Sequence, residues 1–315
     1  MANPENAQHE ALYPLANIRL PSQGQGDSMS VEANALPTCL LKVSGGLGNQ
    51  LFQYAAGRSL ASTTNARLVL DISFYDKGRH RTFELDQFPI QADVQHRSSG
   101  MTWMARGKQL LRSIVRREQI YNEPHFQFDP NFENVRPPVT LKGYFQTYRY
   151  FEKIEQQIRE ELRVPDPSDP DTLQLSQKMS GQNYAALHIR RGDYVSSTKA
   201  SRIYAQCTLD YYEAAMERLP LNNPVLVLSD DLQWSRENLP AVRPLIFPEN
   251  KVDRPGLADL WLMAQAQHHI IANSSFSWWG AWLAGKGGLK IAPRKWFHDS
   301  AVDDRDLIPG DWIRI

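Results

Sequence analysis

Cysteine is scarce, with only Cys39 and Cys207 in 315 residues. That excludes a disulfide-stapled scaffold and fits a reducing compartment. Neither charge is in excess, since Lys+Arg and Asp+Glu both number 35. A broad nucleic-acid-binding surface is therefore excluded, and any basic site has to be local. No apolar run approaches the roughly 18 residues that a membrane span needs. The opening Met-Ala-Asn-Pro-Glu-Asn has neither the basic nor the apolar region of a signal peptide, so the reading is a soluble cytoplasmic protein. No repeat is visible. What is present is ordinary globular composition, 42% apolar and 22% charged, in a length that suits about two domains.

Residues 1–37 read as a disordered tail, rich in Pro, Gly and Ser and without a period. Order begins at Thr38–Val43, an apolar strand closed by Ser44-Gly45-Gly46. Leu51–Thr63 has helical spacing, and Ala66–Ile72 is a second strand. Strand, glycine turn, helix, strand is the parallel α/β unit. Val139–Gly143 reads as a strand and Tyr148–Val164 as a helix. Three prolines in Pro165–Pro170 then mark a linker over 165–175. Beyond it the α/β pattern resumes, with strands at Tyr184–Ile189, Pro224–Leu228, His269–Ala272 and Gly288–Ala292. Helices alternate with them at Leu209–Leu219, Pro255–Gln267 and Phe276–Ala284. The expectation is two α/β lobes, 38–164 and 176–315, with a ligand cleft between them.

Four places could carry chemistry. The turn Ser44–Gln50 places three glycines between a strand and a helix, where backbone N–H groups can approach a ligand. It nearly matches a dinucleotide fingerprint, with Asp71 as the ribose carboxylate, but Leu51 occupies the third small position. A tight structural turn is the plain alternative. His188-Ile189-Arg190-Arg191-Gly192-Asp193 follows a buried strand, at the edge where open α/β sheets bind ligands. Two adjacent guanidiniums with one local acid, Asp193, leave about one charge for a phosphate; a structural Arg–Asp pair is the alternative.

Asp230 and Asp231 also end a strand. They suit a divalent metal, a base or sugar donor, or the cap of the next helix. Asn273-Ser274-Ser275 leads into a helix bearing Trp278, Trp279 and Trp282. Its free N–H groups could nest a phosphate, whereas tryptophans at helical spacing belong to a core. His268-His269 makes a poor metal pair, because neighbours on a strand face opposite ways.

Taken together the chain resembles glycosyltransferase family 11, the α-1,2-fucosyltransferases, over about Leu40–Phe297. The strings that carry the resemblance are GGLGNQLFQYAAG (Gly45–Gly57), LKGYFQTYRYF (Leu141–Phe151), LHIRRGDYV (Leu187–Val195), LDYYEAAM (Leu209–Met216), LSDDLQW (Leu228–Trp234), NSSFSWWGAWLA (Asn273–Ala284) and IAPRKWF (Ile291–Phe297). The resemblance implies a GT-B fold of two facing Rossmann-like lobes, with GDP-β-L-fucose held by the C-terminal lobe and a galactose-terminated acceptor by the N-terminal one. It implies transfer with inversion to the 2-hydroxyl, no metal and no other cofactor.

Carried over by motif, Arg190 would hold the β-phosphate, while His188 and Asp230 or Asp231 would sit near guanosine. Ser274 or Ser275 would meet the diphosphate, with Arg191 and Asn273 alongside. Gly46, Gly48, Asn49 and Gln50 form the acceptor-side loop, and Arg190, Asp193 and Asn49 are the candidate catalytic set. The base for the acceptor hydroxyl is unassigned; Asp71 is a candidate only by its strand-end position. A dinucleotide oxidoreductase and a non-catalytic nucleotide- or sugar-binding protein are the competing classes. Lastly, 101–118 carries five cations against one acid, with an apolar side at helical spacing, and is a candidate for peripheral contact with an anionic membrane face.

Overall fold

Strands that are apolar on both faces suit a parallel sheet covered on both sides, and β1 (Thr38–Lys42) has its three central residues buried. In a computed structural model of the chain, residues 36–77, 81–96, 119–191, 205–220, 222–248, 256–299 and 302–315 are described. Helix α1 (Leu47–Thr63) follows β1, and β2 (Arg67–Asp71) pairs parallel to it. Strands β3 (Asp93–Gln95), β4 (Gln119–Asn122) and β5 (Val139–Lys142) complete a five-stranded sheet in the order β3-β2-β1-β5-β4.

Helices α2 (Glu155–Glu161) and α3 (Pro170–Met179) lead to the second sheet. It is built from β6 (Ala185–Ile189), β7 (Val225–Ser229), β8 (Leu245–Ile246), β9 (His268–Ile270), β10 (Lys290–Ala292) and β11 (Ile313–Arg314), in the order β11-β10-β9-β6-β7-β8. Helices α4 (Leu209–Glu217), α5 (Leu232–Asn238), α6 (Gly256–Gln265) and α7 (Ser275–Leu283) lie between its strands in sequence. Every described pairing in both sheets is parallel. Two parallel sheets, each with its own strand order, give the two-lobed α/β architecture of the GT-B type.

The strand orders fix where ligands can sit. In the first sheet the chain steps from β1 to β2 and β3, crosses to the far edge at β4 and comes back beside β1 at β5. In the second it steps from β6 to β7 and β8, then crosses to β9 on the other side of β6. A parallel sheet opens a crevice at such a reversal, outside the carboxyl ends of its strands. The glycine turn follows β1, Gly143 follows β5, the His188–Arg191 string ends β6, and Asn273–Ser275 follows β9.

One core runs through both lobes. Phe52 of α1 lies 4.5 Å from Trp278 and 5.0 Å from Trp279 of α7, ring centre to ring centre. Phe151 stacks on Trp279 at 5.5 Å, and Arg159 lies 3.8 Å above the Trp282 ring. Trp278 and Trp282 are buried, as expected of tryptophans at helical spacing. Trp278 Nε1 donates to the Leu307 carbonyl at 2.9 Å. Asp306, near the C-terminus, binds back onto the first lobe through Thr147 Oγ1, Arg149 and the Phe128 amide. Such ring pairs add about 0.5–1.5 kcal/mol each beyond their burial, so separating the lobes is costly.

The expected linker over 165–175 is only half a linker. Pro170 occupies the first turn of α3, and Asp169 caps it by accepting from the Thr172 amide at 2.8 Å. Proline is tolerated at that position because its missing N–H has no helical partner there. The long helix expected over 148–164 is broken into short 3-10 turns at Tyr148–Tyr150 and Glu152–Ile154 before α2. Burial of Tyr150 and Phe151 in the common core prevails over helical continuity. The tail before residue 36, Asp193 and the basic segment 101–118 lie outside the described residues. No described helix is long and apolar enough to cross a membrane.

Candidate active site where the two sheet edges meet

The glycine turn is held rigid by two buried glutamines. Gln53 accepts from the Ser44 amide at 3.0 Å and donates to the Gly143 carbonyl at 2.9 Å. Gln50 donates to the Gly45 and Thr82 carbonyls and accepts from the Glu84 amide. Gln50 is therefore a frame for the loop, fully buried beneath it. Gly45 has φ +85, which an L side chain rarely adopts. Gly46 caps α1 with no side chain to satisfy the first amides, and the Arg81 guanidinium lies beside it, 3.6 Å from where a Cβ would stand.

Gly48 has a different reason to be glycine. A Cβ there would come within 2.4 Å of the Phe276 amide nitrogen and 2.5 Å of the Ser275 carbonyl carbon. The start of α1 thus presses on the start of α7. Asn49 completes the junction: its Oδ1 accepts from Ser275 Oγ at 2.8 Å and from Gln146 Nε2 at 2.7 Å. Ser274 stands at the N-cap of α7 without making a side-chain cap bond. Two helix N-termini with uncapped amides converge here, each carrying partial positive charge.

The β6 string lies next to this junction, with the His188 ring 5.5 Å from Phe276. Arg190 Nη1 pairs with Asp230 Oδ2 at 2.9 Å. Asp230 Oδ1 also accepts from the Arg191 amide at 2.9 Å, so one carboxylate orients both arginines. The Arg191 side chain has partners of its own. Its guanidinium lies 3.7 Å above the Trp234 ring, with Nε 3.2 Å from Asp231 Oδ2. Asp231 also caps α5, accepting from the Trp234 amide at 3.1 Å, so one of the two aspartates is the helix cap that the sequence allowed. Burial pushes the His188 imidazole down to about 4, with Arg190 adding to the effect and Asp230 opposing it, so His188 is neutral at pH 7. Its Nδ1 is buried with no partner.

Asn273 is buried and ties two loops together, its amide donating to the Ala205 and Trp296 carbonyls. His268 and His269 do not form a metal pair. His268 Nδ1 accepts from the Leu289 amide at 2.8 Å, and His269 bonds the Met263 carbonyl through Nε2 at 2.7 Å.

Sequence reasoning missed the cavity on the first lobe's sheet edge. It measures about 910 Å3 and is walled by the ends of β1, β2 and β5 and the segment after β4. Ser44 of the glycine turn lines one side. Phe126, on another, packs its ring 4.5 Å from Phe297 of the second lobe. Asp71 and Glu123 both line it; one oxygen accepts from one backbone amide in Asp71 and from two in Glu123, and the other oxygen of each is buried without a partner. Asp71 was visible as a strand-end carboxylate. Glu123 had no signal, since its bonds to the Tyr144 and Phe145 amides exist only in the fold.

A family model described as "Glycosyl transferase family 11" matches residues 41–315. The chain belongs to that family. It is a glycosyltransferase, and the oxidoreductase alternative falls with that assignment. Among the relatives of this family 11 member is an α-1,2-colitosyltransferase of Escherichia coli, 33% identical over 287 residues, spanning 87% of this chain and 97% of the relative. The O-antigen biosynthesis glycosyltransferase WbnK of Escherichia coli is 30% identical over 305 residues, spanning 87% and 99%. The crystal structure of fucosyltransferase NodZ from Bradyrhizobium superposes with a TM-score of 0.46 at 13% identity, covering 79% of this chain and 94% of that one.

Proposed function

We propose that this family 11 enzyme transfers L-fucose from GDP-β-L-fucose to the 2-hydroxyl of a galactoside, inverting the anomeric centre to give an α-1,2 linkage. The observation that carries the reading is the junction itself. Uncapped N-termini from both lobes meet at the Asn49–Ser275 bond, and Arg190 stands on the neighbouring strand end. Breaking the C1–O bond builds charge on the departing diphosphate. Helix N-termini and a guanidinium can stabilise that charge, so the reaction needs no divalent metal. In this reading the second lobe holds the nucleotide along the carboxyl ends of β6, β7 and β9, with neutral His188 beside it. The cavity of the first lobe receives the acceptor, with phenylalanine and tyrosine rings for a sugar face and Asp71 and Glu123 for its hydroxyls.

The relative named as a colitosyltransferase favours a second donor, GDP-colitose, at the same site. Purified enzyme offered each donor in turn with lactose, with the product linkage read by NMR, decides between the two. A non-catalytic binder would release no GDP when acceptor is added. We further propose a cytoplasmic enzyme whose basic segment 101–118 contacts anionic headgroups, a reading supported by the five cations that the sequence puts there.

A further inference from the structure

Inverting transfer removes a proton from the acceptor hydroxyl, and the first lobe's cavity holds a carboxylate seated by several independent features. Glu123 follows the edge strand β4. Its Oε2 accepts from the Tyr144 amide at 2.7 Å and the Phe145 amide at 3.0 Å. Its Oε1 is buried, has no partner, and belongs to a residue that lines the cavity.

The surroundings are shaped to admit it. A Cβ on Gly143 would come within 2.4 Å of the Glu123 Cβ and 2.6 Å of its Oε2, so only glycine leaves the space. Phe145 has φ +54, a left-handed conformation that is uncommon for a bulky residue. The turn Tyr144–Phe145 that clamps the carboxylate is followed at once by Gln146, whose amide donates to Asn49 at the junction. The carboxylate is thus bolted to the peptide that reaches the point where the two lobes meet.

From this geometry we infer that Glu123 is the proton acceptor of the transfer reaction, an assignment that rests on the fucosyltransferase reading. As the acceptor oxygen forms its bond to C1 of the donor sugar, the C1–O bond to diphosphate breaks and its electron pair leaves with GDP. The hydroxyl proton passes to Glu123 Oε1, and the resulting carboxyl later returns it to solvent. A base held by two backbone bonds needs no rearrangement at the moment of transfer.

Burial raises the Glu123 carboxyl above its ordinary value, while its two amide bonds and His125 pull the other way. Lys42, Lys142, Asp71, Asp76, His125 and Tyr144 are the other charged or titratable groups around the cavity. Activity then carries an acid limb set by Glu123, falling as the carboxyl takes up its proton.

The test is Glu123→Gln in the full-length enzyme. The amide oxygen keeps both backbone bonds and removes only the base. The expected result is a loss of about 10²–10⁴-fold in kcat, with melting temperature, GDP affinity and acceptor KM near wild type. The acid limb vanishes from what activity remains. Glu123→Asp, tested in parallel, retains the limb at reduced rate. A Glu123→Gln variant within about threefold of wild-type kcat, with its acid limb intact, overturns the proton role alone. A wild type that binds no GDP and transfers nothing from GDP-fucose overturns the transferase reading first.

Discussion

Ser275 Oγ donates to Asn49 Oδ1 across 2.8 Å, and these two residues stand 226 positions apart at the first turns of helices from different lobes. The same Asn49 oxygen accepts from Gln146, so three chain segments share one acceptor. Asn49→Ala leaves two donors without it, at a cost of about 1–3 kcal/mol if they stay buried. The melting temperature is expected to fall and transfer with it. Ser275→Ala, which leaves the Gln146 bond intact, is expected to be the milder change. Calorimetry on both variants checks the order, and an unshifted Asn49→Ala melt counts against the junction.

Gly48→Ala should be worse than its size suggests. The added methyl overlaps the backbone at Ser275–Phe276, which cannot swing aside as a flexible side chain would. Overpacking of this kind costs about 1–3 kcal/mol even in an ordinary core, and here it pushes the two helix starts apart. Reduced melting temperature together with more than tenfold lower transfer is the expected pair. Wild-type activity in that variant would show that the contact has slack.

Arg190→Ala removes the guanidinium at the strand end and is expected to lower kcat by about 10²–10³-fold while the protein stays folded. Arg190→Lys should recover little, because an ammonium lacks the planar fork. Asp230→Asn gives a smaller loss, since it loosens the ion pair that aims Arg190 and keeps an acceptor for the Arg191 amide. Steady-state kinetics with GDP-fucose test all three, and a fully active lysine variant contradicts the bidentate role.

Burial also sets a pH dependence of stability. His188 and His269 are both buried and pushed from 6.5 down to about 4, with burial as the first cause in each. Their folded values lie below the unfolded one, so the unfolded chain binds more protons between them. The stability that follows from keeping these rings neutral is complete above about 6.5 and is lost as pH falls towards 4. Urea midpoints at pH 7 and pH 5 should therefore separate more in the wild type than in His269→Asn. Equal separations would remove His269 from the account.

Much of the scaffold was legible in the sequence because buried parallel strands are continuous apolar runs. TCLLK, RLVLD, AALHI and VLVLS announce themselves. The short strands β3, β4, β8 and β11 did not, since two to four residues that are mostly exposed or half-exposed carry no period. The residues at the site were legible as types but not as partners. Asn49 and Ser275 were each singled out, yet nothing in one dimension says that they bond. Arg191 looked like the twin of Arg190, but its side chain is held by Trp234 and Asp231, whereas that of Arg190 pairs with Asp230. Glu123 gave no sign at all, because its seat is made by Gly143 and a left-handed Phe145 that only the fold brings to it.

The central claim is metal-independent transfer of a GDP-linked sugar at the junction of the two lobes. The most direct test follows GDP release from GDP-fucose by the purified full-length enzyme in EDTA, with and without lactose. The account predicts release that depends on lactose, a product fucosylated at the galactose 2-hydroxyl, and no gain on adding Mg²⁺ or Mn²⁺. No lactose-dependent release, or release that appears only when the metal is restored, would contradict it.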